Sequence, residues 1–231
     1  MGPRTSVLAV SIAILAAGLS DAGGRLPEGF TPIFNGKDLK GWHLSRTTHQ
    51  GATADVRVEA GVIVMKQHPY GQGGLLLTDK RYSNFELHLE AKPDWGCNGG
   101  IYFRSTEGGS AYQIELDQSG GTGNLLGDLL QISKPARAVD IDKAWKPDDW
   151  NAFRLRVVGD SPRISLWING VPMWDVTQDR NDLVAGATDG MIGLQVHWSA
   201  VSAPPVAPCC SRSWKPGAAH RYRNIAIREL D

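Results

Sequence analysis

The chain has 231 residues, with 24 basic and 24 acidic side chains and a formal net charge of zero. That balance excludes a broad basic face for nucleic acid and an acidic, solvating chain. At 42% hydrophobic and 21% charged residues the composition is that of a globular protein, and 27 glycines and 13 prolines point to many short elements joined by turns.

In chain order, the first feature is a leader. Arg4 precedes an apolar run over residues 7–19, and Ser20, Asp21 and Ala22 follow. A charged start, a short apolar core and small residues at a cut site read as a signal peptide over residues 1–22. Residues 23–231 are then one exported domain, secreted or periplasmic. No later apolar run approaches the roughly 20 residues needed to span a bilayer, so no membrane contact is expected after cleavage.

Beyond the leader the pattern has period two. Val56 to Val58 and Val62 to Met65 flank a turn through Glu59, Ala60 and Gly61. Phe85, Leu87 and Leu89 alternate with Glu86, His88 and Glu90; Phe153, Leu155 and Val157 alternate with Arg154 and Arg156. Strict alternation is the signature of half-buried strands. Residues 164–168 run into Asn169-Gly170 and then 171–176, a hairpin whose turn residues accept positive φ. The best helical segment, 135–145, is short. About ten strands from residue 56 onward predict an all-β, antiparallel, two-sheet jelly-roll sandwich.

Three strands carry polar stripes. Tyr102 and Arg104 alternate with Ile101 and Phe103; Gln113, Glu115 and Asp117 with Tyr112, Ile114 and Leu116; Gln195 and His197 with Leu194 and Val196. Side chains at i and i+2 share a face, so neighbouring strands of this kind form a concave polar floor. Its amides, carboxylates, guanidinium and imidazole suit sugar hydroxyls, and Trp95, Trp198 and Trp214 are available to stack on a sugar ring. Carbohydrate is therefore the expected partner. His43, His49, His68 and His220 lie in loops or at termini and receive no role. Of the three cysteines, Cys97 has a bridge to Cys209 or Cys210 open to it, while no CxxC spacing suggests zinc.

Several segments are more specific: GFTPIFNGKDLKGW (29–42), NGGIYFR (98–104), YQIELD (112–117), TGNLLG (122–127), DWN (149–151), ING (168–170), GMIGLQVH (190–197) and YRNIAI (222–227). In this order the chain resembles the 3-keto-disaccharide hydrolase domain family across nearly all of residues 30–230. The resemblance implies a concanavalin A-like jelly roll that cleaves glycosides already oxidised to a ketone at C3. It implies a base near C2, a group polarising the C3 oxygen, and an acid for the leaving oxygen. On this chain those roles fall to Glu115 as base, Arg104 as polarising group and His197 as acid or metal ligand. Asn98, Tyr102, Gln113, Asp117, Gln195 and Trp198 are the expected substrate contacts. Some members are expected to use a divalent metal, and the residues leave open whether one is bound here.

Three departures stand out. Gln113 occupies the place of the family's glutamate, and Glu115 that of its glutamine. Gly99 replaces a serine. Residues 199–219 make a longer connection than usual, expected as a lid over the floor. The competing classes are a non-catalytic carbohydrate-binding module on the same fold and an adhesion domain resembling laminin G modules.

Overall fold

The structure is a computed structural model and describes residues 26–94, 96–117, 120–199 and 215–231. The leader, Trp95, Trp214, Cys209, Cys210 and most of the expected lid lie outside the described residues. No described helix is long and apolar enough to cross a membrane.

Among the described residues, fourteen strands form two antiparallel sheets. In chain order they are β1 (Thr31–Pro32), β2 (Trp42–Leu44), β3 (Asp55–Glu59), β4 (Val62–Lys66), β5 (Gly74–Tyr82), β6 (Phe85–Ala91), β7 (Asn98–Ser105), β8 (Ala111–Asp117), β9 (Leu125–Asp128), β10 (Asn151–Val158), β11 (Arg163–Ile168), β12 (Val171–Thr177), β13 (Gly190–Val196) and β14 (His220–Glu229). The eight-stranded sheet runs β12-β11-β10-β6-β14-β4-β3, with β1 pairing β14; the six-stranded sheet runs β2-β5-β13-β7-β8-β9. The expected all-β sandwich is what forms.

Alternation explains which face goes inward. Leu87, Leu89, Phe153, Leu155 and Ile227 of the larger sheet meet Ile101, Phe103, Ile114, Leu116 and Leu194 of the smaller one, all almost fully buried. The Phe103 and Tyr112 rings stack across β7 and β8 at 5.5 Å. Burying such side chains is the main stabilising term, about 1.5–3 kcal/mol each. Buried Cys97 lies in this core as a free thiol among the described residues; Cys209 and Cys210, the bridge partners open to it from sequence, lie outside them. Burial first, then the charge of Asp94, pushes that thiol up to about 12.

The turns follow their residues. Asn169 (φ 51°) and Gly170 (φ 81°) both take the left-handed conformation that a two-residue hairpin loop between twisted strands requires. The helical segment is shorter than expected, a single turn, α1 (Ile141–Ala144).

The two outward faces differ. On the larger sheet Glu86 pairs with Arg154 at 2.7 Å and Arg228 at 2.9 Å, and Glu90 with Arg223 at 2.6 Å. That face satisfies its own charges. The outward face of the smaller sheet carries the polar stripes.

Candidate functional site

Strand register fixes the floor in three rows. Gly193, Tyr102, Gln113 and Leu126 face one another across β13, β7, β8 and β9. Gln195, Gly100 and Glu115 form the next row. In the third, the His197 N–H donates to the Asn98 carbonyl at 3.1 Å, and Asn98 faces Asp117. Neighbouring strands lie about 4.8 Å apart, so the backbones of His197 and Asp117 are separated by roughly 10 Å, and those of His197 and Glu115 by roughly 12 Å.

Gln113 and Gln195 are both buried, and the Gln113 Nε2 donates to the Gln195 Oε1 at 3.0 Å. A Cβ on Gly100 would lie 2.4 Å from that Gln113 nitrogen, so only glycine lets the amide lie flat across the sheet. These two expected substrate contacts hold one another and form the floor's foundation.

Glu115 is half-buried beneath the β8–β9 connection, where a Cβ on Gly121 would meet its carboxylate at 2.3 Å. Burial raises its proton affinity, the charge of Asp117 raises it further, and a hydrogen bond from Asn124 opposes both. Asp117 is partly exposed at the end of the same strand.

His197 follows β13. Its Nδ1 lies 2.6 Å from the Trp198 carbonyl oxygen. A carbonyl only accepts, so Nδ1 carries the hydrogen and the neutral ring holds its lone pair on Nε2. Burial is the main cause of its lowered proton affinity; the Trp198 carbonyl and the charges of Asp128 and Asp117 partly restore it, while His49 lowers it. The Trp198 ring lies 5.7 Å from the imidazole. Gln67 fixes this segment by donating to the His197 carbonyl at 2.6 Å and the Ser199 hydroxyl at 2.8 Å.

Arg104 is a correction. It takes φ 50°, and the β13 register slips opposite it between Met191 and Gly193. This irregularity breaks the alternation, so Arg104 and Tyr102 do not share a face. The guanidinium donates to the Ser83 carbonyl at 2.8 Å and the Gly159 carbonyl at 2.9 Å, in the β5–β6 and β10–β11 turns at one end of the sandwich. It is 1% exposed and joins the two sheets.

Tyr102 is on the floor face but fully buried, packed with Leu75, Leu77, Ala111 and Met191. Its hydroxyl donates to Asp128. Burial and the Asp128 charge push the phenol well above its ordinary value, so it stays protonated. Tyr102 therefore positions Asp128 and does not present itself to a ligand.

The missed residues are on this side. Asp128 also lies 3.5 Å from the His49 Nε2 and 3.4 Å from the Gln50 Nε2. Gln50 in turn accepts from the Trp198 N–H at 3.3 Å. Loop 48–50 thus ties β9 to the end of β13. Asp128 was within reach of sequence, two residues beyond Leu126 on the same alternating face. His49 and Gln50 come from a loop without periodicity and leave no such signal.

Among the described residues no three His, Cys, Asp or Glu side chains are grouped to hold a metal.

A family model describing a 3-keto-alpha-glucoside-1,2-lyase-like domain matches residues 29–228. The chain belongs to that family. Among solved structures, this lyase-like domain resembles a candidate glycosyl hydrolase from Parabacteroides distasonis, with 19% identity, TM-score 0.58, and 88% of this chain and 95% of that one covered. It also resembles a β-glucanase from Bacillus licheniformis, with 13% identity, TM-score 0.58, and 88% and 99% covered. A third is the carbohydrate binding module CBM66 from Bacillus subtilis, with 13% identity, TM-score 0.53, and 82% and 96% covered. At these identities the likeness is one of fold, the jelly roll. No curated protein matches the chain.

Proposed function

We propose that this lyase-like domain is an exported carbohydrate-active enzyme that cleaves 3-keto-glycosides. Family membership supports the substrate class, and the leader-like residues 1–22 support export. The observation that carries the reading is one pair on the floor. Glu115 and His197 have proton affinities displaced towards each other, up for the carboxylate and down for the imidazole. Such a pair supplies one group to take a proton and one to give it.

The His197 tautomer, with its lone pair on Nε2, supports the opposite division of roles from the one expected from sequence. Neutral His197 removes the C2 proton through Nε2, and the C2–H electrons form the C2=C3 bond of an enolate. When the enolate collapses, the C3 carbonyl re-forms, a C1=C2 bond forms and the C1–O bond breaks. Glu115, protonated, gives its proton to the leaving oxygen. Water then adds across C1=C2, its hydroxyl to C1 and a proton to C2, which completes a net hydrolysis. Arg104 is committed elsewhere, so Asn98, in the row between His197 and Asp117, is the amide that meets the enolate oxygen. Trp198 walls the ring.

The test is incubation with a 3-keto-disaccharide and its unoxidised parent. Only the keto compound should be cleaved, with an enone intermediate visible by ultraviolet absorption. Glu115→Gln and His197→Ala should each lose about 100-fold or more in turnover. Binding of both sugars without cleavage of either would make the domain a carbohydrate-binding module.

A further inference from the structure

A cavity of about 310 Å³ opens at the end of β8, between the β8–β9 connection and the segment carrying α1. Trp145, Ile141 and Pro147 give it an apolar wall, and Asp117, Asp142 and Asp148 place three carboxylates around it. The Trp145 indole is held edge-on against Phe153 of the core at 6.3 Å, and the Trp145 backbone N–H donates to the Ile141 carbonyl at 2.7 Å. The wall is therefore fixed by the fold.

Three features define what fits. The volume is at the small end of ligand pockets, which begin at about 300 Å³, so the occupant is the size of one sugar ring. A rigid indole beside carboxylate acceptors matches a ring with an apolar face and a rim of hydroxyl donors. Among the described residues no Lys, Arg or His lines the cavity, so an anionic ring meets only like charge. Position supplies the rest. Asp117 belongs both to this cavity and to the floor, two residues from Glu115 on the same face. That spacing is about 7 Å along a strand, roughly the step from one ring of a disaccharide to the next.

We propose that this cavity binds the leaving sugar of the keto-disaccharide and selects a neutral hexose over a uronic acid. The proposal rests on the reading of the floor as the site of cleavage. Bond breaking occurs beside Glu115, and the departing ring lies over Trp145 with its hydroxyls donating to Asp117, Asp142 and Asp148.

The experiment compares two keto-glycosides that differ only in the leaving group, a hexose or a methanol. Asp142 and Asp148 are exposed and lie outside the reacting groups, so their conversion to Asn should leave the thermal midpoint unchanged. The double variant D142N/D148N should lose about tenfold or more in kcat/KM on the disaccharide and stay within about twofold on the methyl glycoside. A uronic-acid leaving group should be poor for the wild type and better for the double variant. Equal losses on both substrates, or none on either, would overturn the subsite. If the wild type cleaves neither keto-glycoside, the cleavage reading fails and binding decides the cavity. Titration with unoxidised maltose should move the indole N–H resonance that Trp145→Phe removes, whereas glucuronate should not. An unmoved resonance would overturn the proposal on its own.

Discussion

Gln113 reaches over Gly100 to donate to the side-chain oxygen of Gln195, 3.0 Å away. The bridge spans three strands and leaves both amides almost fully covered. It explains why the β7 position between them has no side chain, and why the Gln113 stripe does not act as a row of exposed ligands.

Gly100→Ala should therefore break the bridge. Its methyl group needs the space that Gln113 occupies, and a displaced buried amide loses its partner. A loss of about 1–3 kcal/mol is expected. Urea unfolding would measure it, and an unchanged midpoint would mean that the sheet relaxes around the methyl group.

Arg104→Met should damage stability and spare the site. The Ser83 and Gly159 carbonyls would lose their donor at the end of the sandwich, at a cost of about 2–5 kcal/mol. KM and turnover at a temperature where the variant is folded should match the wild type. A selective loss of turnover would return Arg104 to the reaction.

Acid should weaken the fold through His220. Its imidazole is fully buried, stacks on Tyr222 at 6.0 Å, and is lowered from 6.5 to about 4, chiefly by burial. A histidine held neutral stabilises fully above pH 6.5. That stability is lost as pH falls towards 4, because the unfolded chain takes up the proton first. The window is worth about 3 kcal/mol. His220→Gln should flatten the stability profile between these values, as read by denaturant midpoints at several pH values.

The pH–rate profile should be bell-shaped. Activity needs neutral His197 and protonated Glu115. It falls on the acid side as the imidazole charges below 6.5, and on the alkaline side as a carboxyl raised above 4.5 ionises. Glu115→Gln should abolish the alkaline limb. An alkaline limb that survives in Glu115→Gln would give the base back to the carboxylate.

The sheets were legible because alternation is a local property. Residues 164–176 announce their hairpin in the two residues Asn169 and Gly170, and Ile114 and Leu116 announce their inward face. The floor was only half legible. Alternation says which side a residue takes, but not whether that side is open, so Tyr102 and Gln113 read as exposed until Asp128 and Gln195 were found against them. Arg104 failed because one residue at φ 50° cancels the period on which the expectation rests. His49 and Gln50 were silent because they reach the floor by the closure of a loop, which depends on residues some 78 positions apart.

Strand β14 lies between β6 and β4, although it is the last strand in chain order. A ribosome therefore delivers the interior member of the larger sheet after both of its neighbours. Until then β6 and β4 each present an unpaired edge, and the hydrophobic inner surface has no closed partner. Such a nascent chain is exposed to edge-to-edge association. Folding is gated by the arrival of residues 220–229, so a chain released without them would have a gap inside the larger sheet and would not be a slightly shortened sandwich.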